Sequence, residues 1–120
     1  MIEQKADDVF NVLLSVMPNP WEKVVYHAGR NENKLNMIFY VKIHNRYISC
    51  FDLPKISNVT PEEISDAFIK LFSICFSENP EWNGFDFIAT PDMKFGVNYY
   101  YEDVDTESEE WQNKCLRKTE

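Results

Sequence analysis

The sequence contains few of the residues from which many functional sites are built. Among 120 residues there are three glycines, Gly29, Gly84 and Gly96, which is too few for a glycine-rich phosphate-binding loop. The two histidines and three cysteines are widely separated and no CxxC pair is present, so the spacing of a zinc site is missing. We therefore expect neither a bound metal nor another cofactor.

Long apolar runs are also lacking. The longest candidate, residues 69–76, contains polar residues and falls far short of the roughly 18 residues that a membrane span requires. The charged start of the chain is unlike a signal peptide. Cys50 and Cys75 lie within apolar runs, which is typical of buried thiols in a reducing compartment, and we expect Cys115 to be exposed. These features predict a soluble cytoplasmic protein.

Basic residues are the minority, and the acidic excess is local. The chain has 12 Lys and Arg against 20 Asp and Glu, a net charge of -8. Residues 102–110 hold six carboxylates and no base, so the remainder carries -8 + 6 = -2. This run repels nucleic acid and anionic membranes and suits docking to a basic protein surface. It also fits a solvated acidic tail, and charge alone leaves both interpretations open.

The sequence offers little for catalysis. His27 and His44 are each predicted on the less apolar face of a strand, and no segment resembles a nucleophile elbow. The alternating acids that begin at Asp103 and Asp105 imitate a calcium loop, but they lack its central glycine and its final bidentate glutamate. We predict a protein that is not an enzyme and has no metal site.

Hydrophobic periodicity predicts two long helices and five strands. The segment Thr60-Pro61-Glu62-Glu63 is a strong helix start, with Thr60 as N-cap and Glu63 closing a capping box. The predicted elements are a helix over Ile2–Met17, strands over Val24–Ala28, Leu35–His44 and Tyr47–Asp52, a helix from Pro61 to the Asn79-Pro80 stop, strands over Phe85–Thr90 and Phe95–Tyr101, and a short helix over Glu109–Arg117.

This order predicts a single α+β domain over residues 1–120 with an acidic C-terminal segment, 102–110. The links of hairpin length imply an antiparallel sheet of about five strands, and two helices with apolar stripes cover one face of it. The order is α-β-β-β-α-β-β-α. Bulky side chains are expected to fill the space between helices and sheet: Phe10, Phe39, Phe68, Phe72, Phe87 and Phe95.

The aromatic residues near the acidic run receive different interpretations. Tyr99 and Tyr101 share the apolar face of the last strand and are predicted to be core residues. Tyr100 lies on the other face, which we expect to be open. Trp111 follows the acidic run, and an exposed tryptophan rimmed by carboxylates is a natural interface anchor.

The succession of short segments resembles the YezG-like family of bacterial immunity proteins, the antitoxins encoded beside polymorphic secreted toxins. The order and spacing agree over about residues 9–103, although the family often has acids where this chain has Asn98 and Tyr100. The matching segments are Met17-Pro18, Trp21-Glu22-Lys23-Val24, the strand Met37–Val41, Tyr47-Ile48-Ser49, Asp52-Leu53-Pro54, Asn58-Val59, Pro80-Glu81-Trp82, Lys94-Phe95-Gly96-Val97-Asn98-Tyr99 and Tyr101-Glu102-Asp103.

The resemblance implies a cytoplasmic inhibitor that binds one toxin domain, often a nuclease; an EndoU-type RNase is our choice. Carboxylates that occupy the basic cleft of a nuclease would exclude its substrate. We therefore predict a toxin-binding surface formed by Tyr100, Glu102, Asp103, Asp105, Glu107 and Trp111. The alternatives are an acidic adaptor of a non-toxin complex, which would use the same surface, and a small-ligand domain, which would need an internal cavity.

Overall fold

Five antiparallel strands form one open sheet in the order β3-β2-β1-β4-β5. The structure is a computed structural model and describes residues 2–31, 34–76 and 81–101. The strands are β1 (Lys23–Asn31), β2 (Lys34–Ile43), β3 (Arg46–Ser49), β4 (Gly84–Ala89) and β5 (Phe95–Tyr100). The predicted α+β fold is therefore confirmed, and β3 and β5 are the two edges of the sheet.

The helices begin with a 3-10 turn over Ile2–Lys5 that leads into α1 (Ala6–Leu14). We predicted a helix to Met17, but α1 ends three residues earlier. The Ser15 hydroxyl donates to the carbonyl of Val12 at 2.6 Å, and the Val16 N–H donates to the carbonyl of Leu13 at 3.1 Å. A serine that bonds its neighbouring backbone in this way competes with continued helix.

The second long helix, α3 (Pro61–Phe76), starts where the sequence predicts. The Glu63 N–H donates to Thr60 Oγ1 at 3.2 Å, and the Thr60 N–H donates to Glu63 Oε1 at 3.3 Å. This reciprocal pair is the capping box, and it satisfies two backbone donors that the helix itself leaves without partners.

The hairpin between β2 and β3 turns one residue earlier than predicted. His44 and Asn45 both have positive φ, 51° and 63°, and Ile43 pairs with Arg46 across the two-residue loop. Positive φ at both loop residues is the geometry of a type I′ turn, which asparagine tolerates well. The prediction that His44 lies within a strand is therefore wrong.

The strand predicted over Tyr47–Asp52 is shorter than expected. It ends at Ser49, whose hydroxyl accepts from the Phe51 N–H at 3.3 Å and begins a 3-10 turn over Cys50–Asp52. The turn leads into the short helix α2 (Leu53–Ile56), which has Pro54 in its first turn. These short helical elements were not predicted.

The main core lies between the helices and one face of the sheet. Helix α3 contributes Ile64, Ala67, Leu71 and Cys75 to this core. The apolar stripe that periodicity predicts for the first helix is also buried there: Ile2, Ala6, Val9, Phe10, Leu13 and Met17. Phe39 and Phe87 are fully buried, but Phe72 is 49 % exposed and Phe95 45 % exposed. The expectation that both belong to a filled interior is wrong, because Phe72 lies at the solvent margin of its stripe and Phe95 lies on the edge strand β5.

Candidate functional site

The face of the sheet opposite the helices carries a cluster of ionisable and aromatic side chains. Alternation along the strands places His27 of β1, Asp86 of β4 and Tyr100 of β5 on this face, while Tyr26, Phe87 and Tyr99 point toward the helices. His27 pairs in register with Asp86, and Tyr100 pairs with Gly84. The strand pairing therefore brings together residues from three distant parts of the chain.

The three side chains are joined by hydrogen bonds. His27 Nδ1 lies 2.6 Å from Asp86 Oδ1, and the Tyr100 hydroxyl donates to Asp86 Oδ2. The ring of Tyr40 lies edge-on to the His27 ring, with centroids 6.1 Å apart. Both oxygens of the Asp86 carboxylate thus have partners, which is what a buried carboxylate requires.

This arrangement is enclosed and therefore unsuited to act on a substrate. His27 is 0 % exposed and Asp86 is 1 % exposed. The described cysteines lie elsewhere: Cys50 and Cys75 belong to the core on the helix side of the sheet. Burial raises the pKa of the Cys50 thiol to about 11 and that of Cys75 to about 12, so neither thiol is an activated nucleophile.

A second hydrogen-bonded group ties β5 to the start of the chain. The Ile2 N–H donates to the Tyr99 hydroxyl at 2.9 Å, and that hydroxyl donates to the carboxylate of Glu3. The bond from Tyr99 lowers the pKa of Glu3, whereas burial and the bond to Glu3 raise the pKa of Tyr99 to about 12. These contacts fix the C-terminal part of β5 against the N-terminal helical segment.

The structure describes one of the six predicted toxin-binding residues. Tyr100 is half-buried, and its hydroxyl donates to the buried Asp86 carboxylate, whereas Asn98, which lies on the same face of β5, is exposed. Tyr101, predicted as a core residue, is instead 62 % exposed. The remaining five predicted residues lie outside the described part of the chain, as do the acidic run and the predicted last helix: Glu102, Asp103, Asp105, Glu107 and Trp111.

The helix layer has an exposed apolar margin that the sequence analysis missed. Phe51, Ile69 and Phe72 are between 49 % and 65 % exposed. The Phe51 ring lies 6.4 Å from that of Phe68, beside a shallow cleft of about 190 Å³. Periodicity placed Phe68 and Phe72 in the core. Ile69 lies between them and off the apolar stripe of α3, and this extra apolar residue was the signal in the sequence for an exposed apolar margin.

Within residues 2–31, 34–76 and 81–101, no group of three or more His, Cys, Asp or Glu side chains could hold a metal ion. Over the same residues, no helix has the length and apolar character that crossing a bilayer would demand. The described part is thus a small α+β domain with a polar cluster enclosed on one sheet face and an exposed edge strand that leads toward the acidic run.

Comparison with known proteins assigns the family. The model of the family described as "Immunity protein YezG-like" matches residues 2–119, almost the whole chain. The protein belongs to the YezG-like immunity protein family, which confirms the resemblance drawn from the residues. A search of curated proteins found no match. Membership in this family supports an immunity role and implies a toxin as the partner.

Proposed function

We propose that this immunity protein neutralises a nuclease toxin in the cytoplasm by stoichiometric binding, and that the acidic run docks on the basic surface of the toxin. The observation that carries the proposal is the concentration of charge in a member of an immunity family. Six carboxylates in residues 102–110 account for most of the net charge of -8. Nucleases hold the phosphates of their substrate with basic side chains, so the two surfaces are complementary.

The position of the run supports this proposal. It begins directly after Tyr101, which is exposed at the end of the edge strand β5. We propose that the carboxylates contact basic residues of the toxin and that Tyr100 or Trp111 is the aromatic anchor of the interface. The carboxylates are those of Glu102, Asp103, Asp105 and Glu107. Opposite charges accelerate encounter to as much as about 10⁸–10⁹ M⁻¹s⁻¹ at low salt, whereas affinity depends on a few buried anchors.

The test begins with a tagged full-length chain used to capture its partner from the host cell, with mass spectrometry as the readout. The identified toxin domain is then assayed for nuclease activity and for association kinetics with two double variants. The first is Asp103→Lys/Asp105→Lys in the acidic run. The matched control is Asp8→Lys/Asp66→Lys, at exposed positions of α1 and α3.

Both double variants change the net charge by the same amount, from -8 to -8 + 4 = -4. We expect the variant in the run to slow association by about tenfold or more at low ionic strength and to flatten its salt dependence. The control should associate nearly as fast as the wild type. Equal on-rates and salt slopes for all three proteins would rule out the acidic run as the docking surface. A captured toxin domain without nuclease activity would rule out the proposal that the toxin is a nuclease.

A further inference from the structure

The edge strand β5 has an outer side that no other described strand covers. It pairs with β4 on one side only and ends the sheet in the order β3-β2-β1-β4-β5. Within residues 2–31, 34–76 and 81–101, the backbone groups of β5 that are directed away from β4 therefore have no strand partner. An unpaired strand edge presents a row of N–H and C=O groups with which another chain can pair.

The register of β5 identifies these backbone groups. Hydrogen-bonded residue pairs alternate along two antiparallel strands with pairs that are not bonded. The Thr90 N–H donates to the carbonyl of Lys94 at 3.0 Å, and alternation from this pair makes Gly96 and Asn98 bond to β4 as well. The N–H and C=O groups of the residues between them are directed outward: Phe95, Val97 and Tyr99.

Natural sheets protect such edges, and β5 lacks the usual protection. Short length, charged side chains, proline and bulges all hinder pairing between edges. The six residues of β5 include no proline and no charged side chain, and its register with β4 runs without a bulge. The opposite edge strand, β3, has four residues and begins with the exposed Arg46. The sheet therefore has one protected edge and one that is open to a partner.

The side chains beside the open edge favour a partner strand. Phe95, on the helix side of β5, is exposed, as are Met93 and Tyr101, which precede and follow the strand. On the other face Asn98 is exposed, and a Cβ added at Gly96 would meet no atom within 4 Å. An added strand would therefore gain apolar contacts on the helix side and would have space for large side chains on the other face.

We infer that the open edge of β5 pairs with an extended strand of the toxin domain, which continues the sheet beyond β5. The toxin as partner rests on the proposed function, whereas the mode of pairing rests on β5 itself. Main-chain hydrogen bonds at Phe95, Val97 and Tyr99 supply affinity, and alternate side chains supply specificity. Charge favours the toxin over a second copy of this chain, because a second copy brings another net charge of -8 and a nuclease presents basic residues.

The edge also defines the chemistry of the toxin strand. The toxin residues beside Phe95 and Val97 are apolar or aromatic, since such cross-strand pairs stabilise a sheet. The toxin residues beside Gly96 and Asn98 are polar and can be large, because that face of β5 is exposed. The paired region covers the six residues of β5, a length of about 20 Å.

The first test is amide hydrogen exchange, followed by NMR spectroscopy on the isotopically labelled full-length chain. The chain is measured free and bound to the toxin domain that it captures from the host cell. The amides of Phe95, Val97 and Tyr99 should exchange quickly in the free protein and at least about tenfold more slowly in the complex. The amides of Gly96 and Asn98 are the internal control, since they bond to β4 and should exchange slowly in both samples.

Three results would overturn the inference. Slow exchange of the outward amides in a free protein that is monomeric by light scattering would show that this chain covers its own edge. The same slow exchange in a free dimer would make a second copy the partner of β5. Exchange that is unchanged on binding would place the toxin elsewhere on the surface.

The second test removes an outward N–H without removing any bond to β4. Val97→Pro makes this change, and proline is tolerated on an edge strand where the N–H faces away from the sheet. The Kd for the toxin domain should rise by about tenfold or more, with the circular dichroism spectrum retained. The matched control, Val97→Ala, shortens the same side chain but keeps the N–H, and it should bind nearly as tightly as the wild type.

Phe95→Pro repeats the test at the first residue of β5, where proline is also tolerated, with Phe95→Ala as its control. Equal Kd values within each pair of proline and alanine variants would overturn strand pairing. Failure of this inference is distinguishable from failure of the proposed function. Protected β5 amides with on-rates that ignore charge reversal in the acidic run would keep the inference and reject that docking surface, and the converse result would do the opposite.

Discussion

At the scale of single residues, the Asp86 carboxylate is the centre of the sheet face opposite the helices. It is buried, and it is stabilised by His27 from β1 and by Tyr100 from β5. A one-residue slip of β4 would move Asp86 to the helix side and leave all three polar groups without these partners. The cluster therefore helps to specify the register of three strands, which is a structural role.

Gly84, next to this cluster, is where a single methyl group should have a large effect. A Cβ added at Gly84 would lie 2.8 Å from the carbonyl oxygen of Ala28, closer than real side chains approach, so β1 and β4 would have to move apart. We expect Gly84→Ala to lower the free energy of unfolding by about 1–3 kcal/mol. Urea denaturation followed by circular dichroism measures this change.

Gly96 provides the matched control for that substitution. It also lies in a strand, on β5, but a Cβ added there would meet no atom within 4 Å. Gly96→Ala should leave stability unchanged or raise it by about 0.4–1 kcal/mol, since it restricts the unfolded chain. Equal destabilisation by both substitutions would contradict the role assigned to the contact at Gly84.

The polar cluster illustrates what a sequence does not reveal about such a site. Asp86 lies between Phe85 and Phe87, and His27 between Tyr26 and Ala28, so alternation places both on the face opposite the apolar one. Their pairing depends on β1 and β4 being neighbours, although 59 residues separate the two side chains. That β1 and β4 are neighbours follows from the order of the strands in the sheet, which the local periodicity of the sequence does not predict.

At the scale of elements, the start of α3 depends on the reciprocal bonds between Thr60 and Glu63. Thr60→Ala removes the side-chain acceptor for the Glu63 N–H and should lower the free energy of unfolding by about 1 kcal/mol. Ser65→Ala is the control, because Ser65 is exposed within the same helix and has no capping role. Thermal unfolding of the two variants compares them, and indistinguishable midpoints would show that the cap adds nothing.

The elements differ in how far the sequence predicted them. The start of α3 and the core of β2 were predicted because a capping box and strict alternation are local signals. The end of β3 was missed, since it depends on one bond from the Phe51 N–H to Ser49. The helix stripe predicted which side of α3 faces inward, but how much of Phe72 is covered depends on the elements beside the helix.

At the scale of the whole molecule, the sheet separates two kinds of interior. The helix side is apolar and dense with aromatic rings, and it encloses Cys50, Cys75 and Tyr26. The other side centres on the hydrogen-bonded Asp86. The sequence predicted the first side and the overall α+β order. It did not reveal that His27 and Asp86 are buried on the second side, because alternation along one strand does not show how the neighbouring strands are covered.

The apolar side predicts how stability responds to alkaline pH. The pKa of Cys50 is raised to about 11 and that of Cys75 to about 12, chiefly by burial, whereas an unfolded thiol has a pKa of about 8.5. Stability from the neutral thiols is fully present below the unfolded pKa. It is lost as pH rises toward the folded values, because the unfolded chain then releases protons that the folded chain retains.

We expect the loss to reach about 2 kcal/mol per buried thiol at pH 10 relative to pH 7.5. Tyr26 adds to the decline at still higher pH, since its pKa is raised well above the ordinary value by burial. Urea unfolding at pH 7.5, 9 and 10 measures the slope in the wild type and in Cys75→Ala. The variant is less stable throughout, because it leaves a small cavity, but its slope should be roughly half as steep. If the substitution left the slope of stability against pH unchanged, the Cys75 thiol would have the same pKa in the folded and unfolded chains. That result would contradict the effect of burial on this thiol.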